Sequence, residues 1–440
     1  VNTRLRNLWD ALNGSFWFIP ALMTLAAGVI SFILVALDQT LSDELAFLFG
    51  YTRGPEGARS LLSTVASSVI TVAGVVFSIT IAALSLASNQ FGPRLLRNFM
   101  RDRGNQLVLG TFIATFMYCL LVLRTVNGSQ ENAFVPHVSV TFAVLLAIAS
   151  LAVLIYFIHH VATIIQAEQV VDTVSGELHH TIDHLFPEKL GEPPSEEKQD
   201  RARKEDLPPD FETQSQPVKA EGEGYLQVID TEKLMRLANE HDLVCRVNYR
   251  PGEFIIRRME LMQIWPGDKV DEDLSNQFRQ AFILGAFRSI TQDVEFAINQ
   301  LVEVALRALS PGINDPFTAI NCIDRLGAGL SHLGERALPS PYRYQDGKKL
   351  RVVAQSVTKA ALVEQAFSQI SEAASSHVVV ITHLLELICQ LVKHTDDKEL
   401  QFALLKQASL IERAANRNLT EEADREKVSS RYHAILKNVM

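Results

Sequence analysis

"LLSTVASSVITVAGVVFSITIAALSLA" runs from Leu61 to Ala87 without one Asp, Glu, Lys or Arg. A helix needs about 20 apolar residues to cross the hydrocarbon of a bilayer, so this stretch reads as a transmembrane span. Three others of the same kind surround it: Phe16–Leu37, Gln106–Val126 and Val138–Ile158. The chain of 440 residues is 48% hydrophobic and also 21% charged, with a mean hydropathy of +0.11. That mixture predicts an α-helical membrane domain of four transmembrane helices followed by a mainly α, α+β cytosolic domain. The net charge of -9 argues against a nucleic acid partner, which needs a basic face. Cys119, Cys245, Cys322 and Cys389 are scattered, with no CxxC pair, and read as reduced packing thiols.

Arginine placement gives an orientation. Arg4 and Arg6 precede the first span, and Arg94, Arg97, Arg101 and Arg103 lie between the second and third. The loop from Asp38 to Arg59 is acidic on balance, and the loop after Val126 is nearly uncharged. Both termini are therefore expected on the cytoplasmic side. The basic "NTRLRNLW" before an apolar run imitates a signal peptide, but the run is too long and lacks a small-residue cleavage site. An uncleaved first span is expected.

The second span carries a stripe. Ser60, Thr64, Ser67, Thr71, Gly74, Ser78, Ser85 and Ser88 step along it at alternating intervals of four and three, interrupted only by the bulky Ile81. A mean step of 3.5 keeps them on one helical face. Small residues let membrane helices approach closely, which makes the stripe a packing seam. Hydroxyls facing water, with a ring of Ile81 as a dewetting constriction, make it a pore lining. Both readings stand on the sequence.

The fourth span runs on without a helix breaker into "HHVATIIQAEQVVDTVSGELHHTIDHLFP", predicting one long helix to near Pro187 and a transmembrane domain over 1–187. His180 and His184 sit one turn apart, but zinc needs further ligands and Asp183 lies on another face, so no metal is expected. Residues 188–224 are charged and Pro-rich and read as a mobile linker. A small α+β module, barrel-like or hammerhead-shaped, is expected over 225–270. "YLQVI", "LVCRVNY" and "EFIIRRMELMQIW" read as strands, with a turn at "RPG". A helical cytosolic domain is expected over 271–440. It begins with amphipathic "EDLSNQFRQAFILGAF" and includes helices at Ala361–Lys393, Lys398–Asn416 and Glu421–Lys437. "ALPSPYRYQDGKKLRVVAQ" reads as a loop with room for a hairpin.

"ALRALSPGINDPFTAINCIDRL" (Ala305–Leu326) joins two of these helices. Pro311–Gly312 closes the first, Asp315 caps the second, and Pro316 takes its first position. Ser310, Asn314, Asn321, Asp324 and Arg325 complete the motif. Polar groups beside a helix N-terminus favour anions, so a ligand site competes with a plain turn. An antiparallel helix pair has the geometry to bring some of Glu295, Asn299, Glu303 and Arg307 on one helix to Asn321, Asp324 and Arg325 on the other as a buried ionic network, which more often specifies packing than performs chemistry. No GxSxG, P-loop, GxGxxG or HExxH is present, so enzyme chemistry is the minor reading, at Asn314 and Asp315.

Four stretches carry a resemblance: "NQFGPRLLRNFMRDRGNQ", "YFIHHVATIIQ", "GYLQVID" and, above all, "QDVEFAINQLVEVALRALSPGINDPFTAINCIDRL". By these the chain resembles an uncharacterised family of predicted bacterial membrane proteins, a domain of unknown function, over nearly its whole length. The resemblance implies a multi-pass protein of the bacterial inner membrane with four spans, and no particular activity. One departure is visible: "PGEFIIRRMEL" stands where the family pattern is closer to "PGDFVxxGTPL". The expectation is a homo-oligomer in the lipid bilayer, without cofactor, acting as an ion channel or passive transporter for ions or a small polar solute. A non-conducting sensor or scaffold is the alternative.

Overall fold

The computed structural model describes residues 15, 17–40, 54–92, 102–127, 134–164, 166–186, 207–345 and 349–437. It divides into a unit up to Gln169 and a unit from Val170 onward. Arg4, Arg6, Arg94, Arg97 and Arg101, on which the orientation argument rests, lie outside the described residues.

Four long apolar helices build the first unit: α1 (Phe18–Thr40), α2 (Pro55–Phe91), α3 (Arg103–Leu123) and α4 (His137–Ile164). All four are long and apolar enough to cross a membrane. Their outward faces carry large apolar side chains, such as Leu25, Phe32, Ile148 and Ile155, each about two-thirds exposed. Water would penalise such surface heavily, whereas lipid tails solvate it. α3 is the central helix and packs against the other three. Its Val108, Phe112, Tyr118 and Val122 are buried among Leu62, Ala66, Val69 and Ala73 of α2 and Val140, Ala143 and Phe157 of α4. Several polar groups inside are paired, which a low-dielectric interior favours. The Tyr118 hydroxyl donates to the Ser139 carbonyl at 3.0 Å, and the Thr115 and Ser150 hydroxyls meet at 3.2 Å. The Asp38 carboxylate at the end of α1 accepts from Val138 N at 2.8 Å and Ser139 N at 3.0 Å. It thereby caps α4, where a negative charge meets the positive end of the helix dipole.

The single helix expected from the fourth span to Pro187 is two helices. α4 ends at Ile164, and α5 covers Ala167–Leu185. Between them Gln166 N donates to the Thr163 carbonyl at 3.1 Å, three residues back rather than four. The cause is that α5 belongs to the second unit, not to a transmembrane domain ending at 187. Its Val170, Val171, Val174, Leu178 and Ile182 are buried. There it meets α10 (Pro316–Gly334), where a β-carbon at Gly329 would lie 2.7 Å from Leu178 Cδ2.

After α5 the ordered core of the second unit resumes inside the expected linker. α6 (Phe211–Gln214) and β1 (Gln216–Lys219) are formed, so the linker reading fails for 207–224. Phe211 and Val218 are the reason: both are buried, Phe211 lies 5.0 Å from the Arg246 guanidinium, and β1 pairs antiparallel with the strand Glu260–Trp265. The remaining elements up to β6 are β2 (Gly224–Ile229), α7 (Thr231–Glu240), β3 (Val244–Val247), β4 (Phe254–Ile255), β5 (Glu260–Trp265), α8 (Glu272–Arg279) and β6 (Phe282–Gly285). "FILG" is thus a strand, not the end of an amphipathic helix. It lies against β2 in a three-stranded sheet of order β4-β2-β6.

α9 (Val294–Ala308) and α10 follow, and then the hairpin β7 (Tyr342–Gln345) and β8 (Lys349–Val353). β8 runs parallel to β3 and completes a five-stranded sheet of order β1-β5-β3-β8-β7. The module expected to end at 270 is therefore closed by β6 and β8, from beyond that boundary. The last helices are α11 (Lys359–Ala373), α12 (Val378–His394), α13 (Lys398–Asn418) and α14 (Glu422–Lys437). The helix expected over Ala361–Lys393 breaks at Ala374–His377. There His377 N bonds the Ala374 carbonyl at 2.7 Å and turns the chain into a new helix.

Candidate functional site

On α2 the two helical faces have separate fates. Ala58, Leu62, Ala66, Val69, Ala73, Val76 and Thr80 are buried within the unit. Ser60, Thr64, Ser67, Thr71, Gly74, Ser78, Ile81 and Ser85 are exposed, and Ser88 is half-buried. The small-residue stripe is therefore not a seam with the chain's own spans. A β-carbon at Gly74 would meet nothing within 4 Å. Four of the hydroxyls are satisfied along the helix: Thr64 donates to the Ser60 carbonyl, Ser67 to Ser63, Thr71 to Ser67 and Ser78 to Gly74, at 2.7–2.9 Å. Back-bonding of this kind lets serine and threonine sit in an apolar medium without an orphaned donor. Next to the stripe an open cleft of about 220 Å³ is lined by Thr64, Ser68, Val72, Phe112, Ser150 and Leu154.

At one end of the bundle Asp102 caps α3, accepting from Asn105 N at 3.0 Å. The same oxygen meets His160 Nε2 at 2.7 Å, and the His160 ring stacks on Tyr156 with centroids 5.2 Å apart. Gly104 is where the α4 imidazole comes close, because a β-carbon there would lie 3.0 Å from His160 Cδ2. The sequence alone names no partner for His160, since Asp102 is far away along the chain.

The "SPGINDP" corner is built as a turn. Asp315 Oδ1 accepts from Phe317 N and Thr318 N, each at 3.1 Å, and Oδ2 accepts from the Thr318 hydroxyl. Burial acts to raise the Asp315 carboxyl, but these three hydrogen bonds outweigh it and hold the pKa below the ordinary aspartate value. Pro316 opens α10 as expected. The left-handed residue that closes the turn is Asn314, with φ 49°, rather than Gly312. Asparagine tolerates that region better than most L-residues. Asn314 N and Ile313 N both bond the Ser310 carbonyl, and Asp315 N reaches back to the Ala308 carbonyl at 2.7 Å.

The corner is exposed at Pro311, Gly312, Ile313, Asn314 and Phe317. α9 and α10 pack against each other, but the expected shared ionic network is not formed. Glu295 pairs with Arg250 at 3.4 Å, and Arg325 with Asp172 at 2.9 Å. Asp324 pairs with His383 at 2.6 Å, Asn299 accepts from Gln365, and Glu303 faces Arg307 on its own helix at 3.7 Å. The side chains fan out to four neighbouring elements because helical periodicity sets a face, not a partner. Asn321 is half-buried on α10.

His180 and His184 lie with ring centroids 6.4 Å apart. Among the described residues no group of three or more His, Cys, Asp or Glu has the geometry to hold a metal ion.

Comparison with known proteins fits this architecture. The family model described as "Predicted membrane protein (DUF2254)" matches residues 13–390. The uncharacterized protein Rv1290c of Mycobacterium tuberculosis (strain H37Rv) is 33% identical over 431 residues, 96% of this chain and 80% of the relative. The uncharacterized protein Mb1321c of Mycobacterium bovis matches to the same extent. No solved structure matches the chain. With four bilayer-length helices and a family match across most of its length, the chain belongs to the DUF2254 family of predicted membrane proteins.

Proposed function

We propose that the protein is a homo-oligomer of the bacterial cytoplasmic membrane in which α2 of each copy lines a shared path for ions or a small polar solute. The second unit lies in the cytoplasm and holds the copies together. One observation carries the reading: the stripe from Ser60 to Ser88 covers the face of α2 that its own bundle leaves open. A helix rises about 1.5 Å per residue, so the stripe is about 42 Å long, more than the hydrocarbon thickness of about 30 Å. Lipid-facing positions gain nothing from a continuous row of hydroxyls. A row of small residues suits close approach of a second helix, and hydroxyls at a symmetry axis suit water. Ile81, the one bulky residue in the row, supplies a constriction.

Resting current through purified protein in planar bilayers tests the reading. Ile81→Ser leaks at rest while Ile81→Leu stays closed, because only the serine ring wets. A silent Ile81→Ser, combined with loss of the oligomer in Gly74→Leu, rejects conduction and leaves a scaffold whose stripe is a packing seam between copies.

A further inference from the structure

On the second unit, β4 and the turn after it carry large apolar side chains that are exposed. Phe254 and Ile256 are 51% and 57% exposed, and Phe287, two residues past β6, is 63% exposed. They lie on or just past β4 and β6, the two strands that flank β2 in one sheet. Tyr225 on β2 is paired with Phe254 on one side and with Gly285 on the other. Its ring meets Phe254 edge-on at 5.1 Å, and the Gln227 amide holds the Phe287 carbonyl at 2.7 Å.

At the tip of this surface stand Arg257 and Arg258, both exposed and neither in an ion pair among the described residues. The tip is fixed by its backbone. Met259 N bonds the Ile256 carbonyl at 3.0 Å, Arg258 N the Ala220 carbonyl at 2.9 Å, and Ala220 N the Met259 carbonyl at 2.8 Å. Arg258 has φ 73°, a conformation that disfavours any side chain and suits glycine. The chain thus holds a strained arginine at the tip of an apolar surface, and strain of this kind persists where function keeps it.

The nearby acids are engaged elsewhere: Glu221 with Arg279, and Glu253 with the Arg250 backbone N–H. Glu223 is exposed just before β2.

We propose that this surface docks on an anionic lipid leaflet, with Phe254, Ile256 and Phe287 entering the headgroup boundary and Arg257 and Arg258 meeting lipid phosphates. Apolar side chains flanked by arginines are the composition of interfacial membrane contacts. The chain carries a net charge of -9, so a basic tip here is a local departure rather than the general surface. A second copy of the chain fits less well, because a two-fold contact through this tip would bring four arginines together.

The test places a photoreactive benzophenone side chain at position 256 or 287 of the full-length protein in lipid nanodiscs. In phosphatidylglycerol both positions give a lipid adduct by mass, well above the adduct at Phe402, an exposed position on α13. Each removed arginine weakens apparent docking by about five-fold, so the Arg257→Gln, Arg258→Gly pair loses about 25-fold. Arg258→Gly relieves the left-handed strain, so an unchanged or raised thermal midpoint separates loss of docking from loss of folding. Equal adduct in phosphatidylcholine, a cross-linked dimer, or an adduct no stronger than at position 402 overturns the proposal.

Discussion

Replacing Gly252 by alanine probes how the second unit is held together. Gly252 is the third residue of the turn closed by Glu253 N on the Arg250 carbonyl at 3.2 Å, and its φ is 95°. A β-carbon there would lie 2.7 Å from Asp293 Cγ and 2.9 Å from Arg288 Nη2. Asp293 is almost fully buried, bonded to Arg288 at 2.8 and 3.0 Å, and caps α9 through Phe296 N at 2.9 Å. Left-handed backbone in a residue with a side chain costs about 1–2 kcal/mol. Pushing apart a buried ion pair costs about 3 kcal/mol more. The expected loss for Gly252→Ala is therefore about 4–5 kcal/mol, or roughly 8–20 °C in thermal midpoint for a unit of this size. Thermal unfolding of the purified full-length protein, followed by circular dichroism, measures it. Asp293→Ala removes the carboxylate that the new methyl would strike, so the double variant should lose about 1–3 kcal/mol less than the sum of the singles. Strict additivity, or a tolerated Gly252→Ala, would refute the close packing of this turn on the Arg288–Asp293 pair.

Lys359 and Asp397 form a buried pair joining α11 to the start of α13. Asp397→Ala, which removes the buried ammonium's counter-ion and the carboxylate that accepts from Leu400 N at 3.0 Å, should cost about 3–5 kcal/mol in denaturant unfolding, while Lys359→Met together with Asp397→Leu should restore the ion-pair part of it. Asp315→Ala should cost about 1 kcal/mol by loss of a helix cap, and Asp315→Asn only a fraction of that. The Asp242 carboxyl is held down at about 2 by hydrogen bonds from Lys349 and Arg351. A pKa lowered on folding gives stability that is present above the unfolded value near 3.9 and is lost as pH falls toward 2. Asp242→Asn, which keeps the left-handed φ of 54°, should flatten the acid limb of a melting-point profile over that window without moving the midpoint at pH 7 by more than the loss of an exposed pair.

The four spans were legible because bilayer thickness fixes a length and an apolar composition that soluble helices rarely combine. Asp315–Pro316 and the "RPG" turn were legible because cap and turn chemistry is local. What escaped notice was decided at a distance. "FILG" is apolar whether helix or strand, and only its partner β2 makes it a strand. The breaks at Gln166 and at Ala374–His377 carry no Gly or Pro, so the helical pattern ran straight through them. Residues 207–219 look like a linker because Phe211 and Val218 are few, but each fills a place in the core. The stripe on α2 was legible as a face; that its own bundle leaves this face open was not, because period names a face without naming its neighbour. The His160–Asp102, His332–Asp183 and His383–Asp324 pairs are likewise contacts between distant segments.

Disulfide trapping between copies tests the central claim most directly. Thr71→Cys and Ser78→Cys lie on the stripe, whereas Ile79 is exposed on α2 about 80° around the helix from Thr71 and about 100° from Ser78. Mild oxidation in native membranes should link copies through positions 71 and 78 and not through Ile79→Cys, and a water-soluble thiol reagent should reach 71 and 78 in the unlinked protein. Absence of linkage at 71 and 78, with both positions protected from the aqueous reagent, would contradict the account.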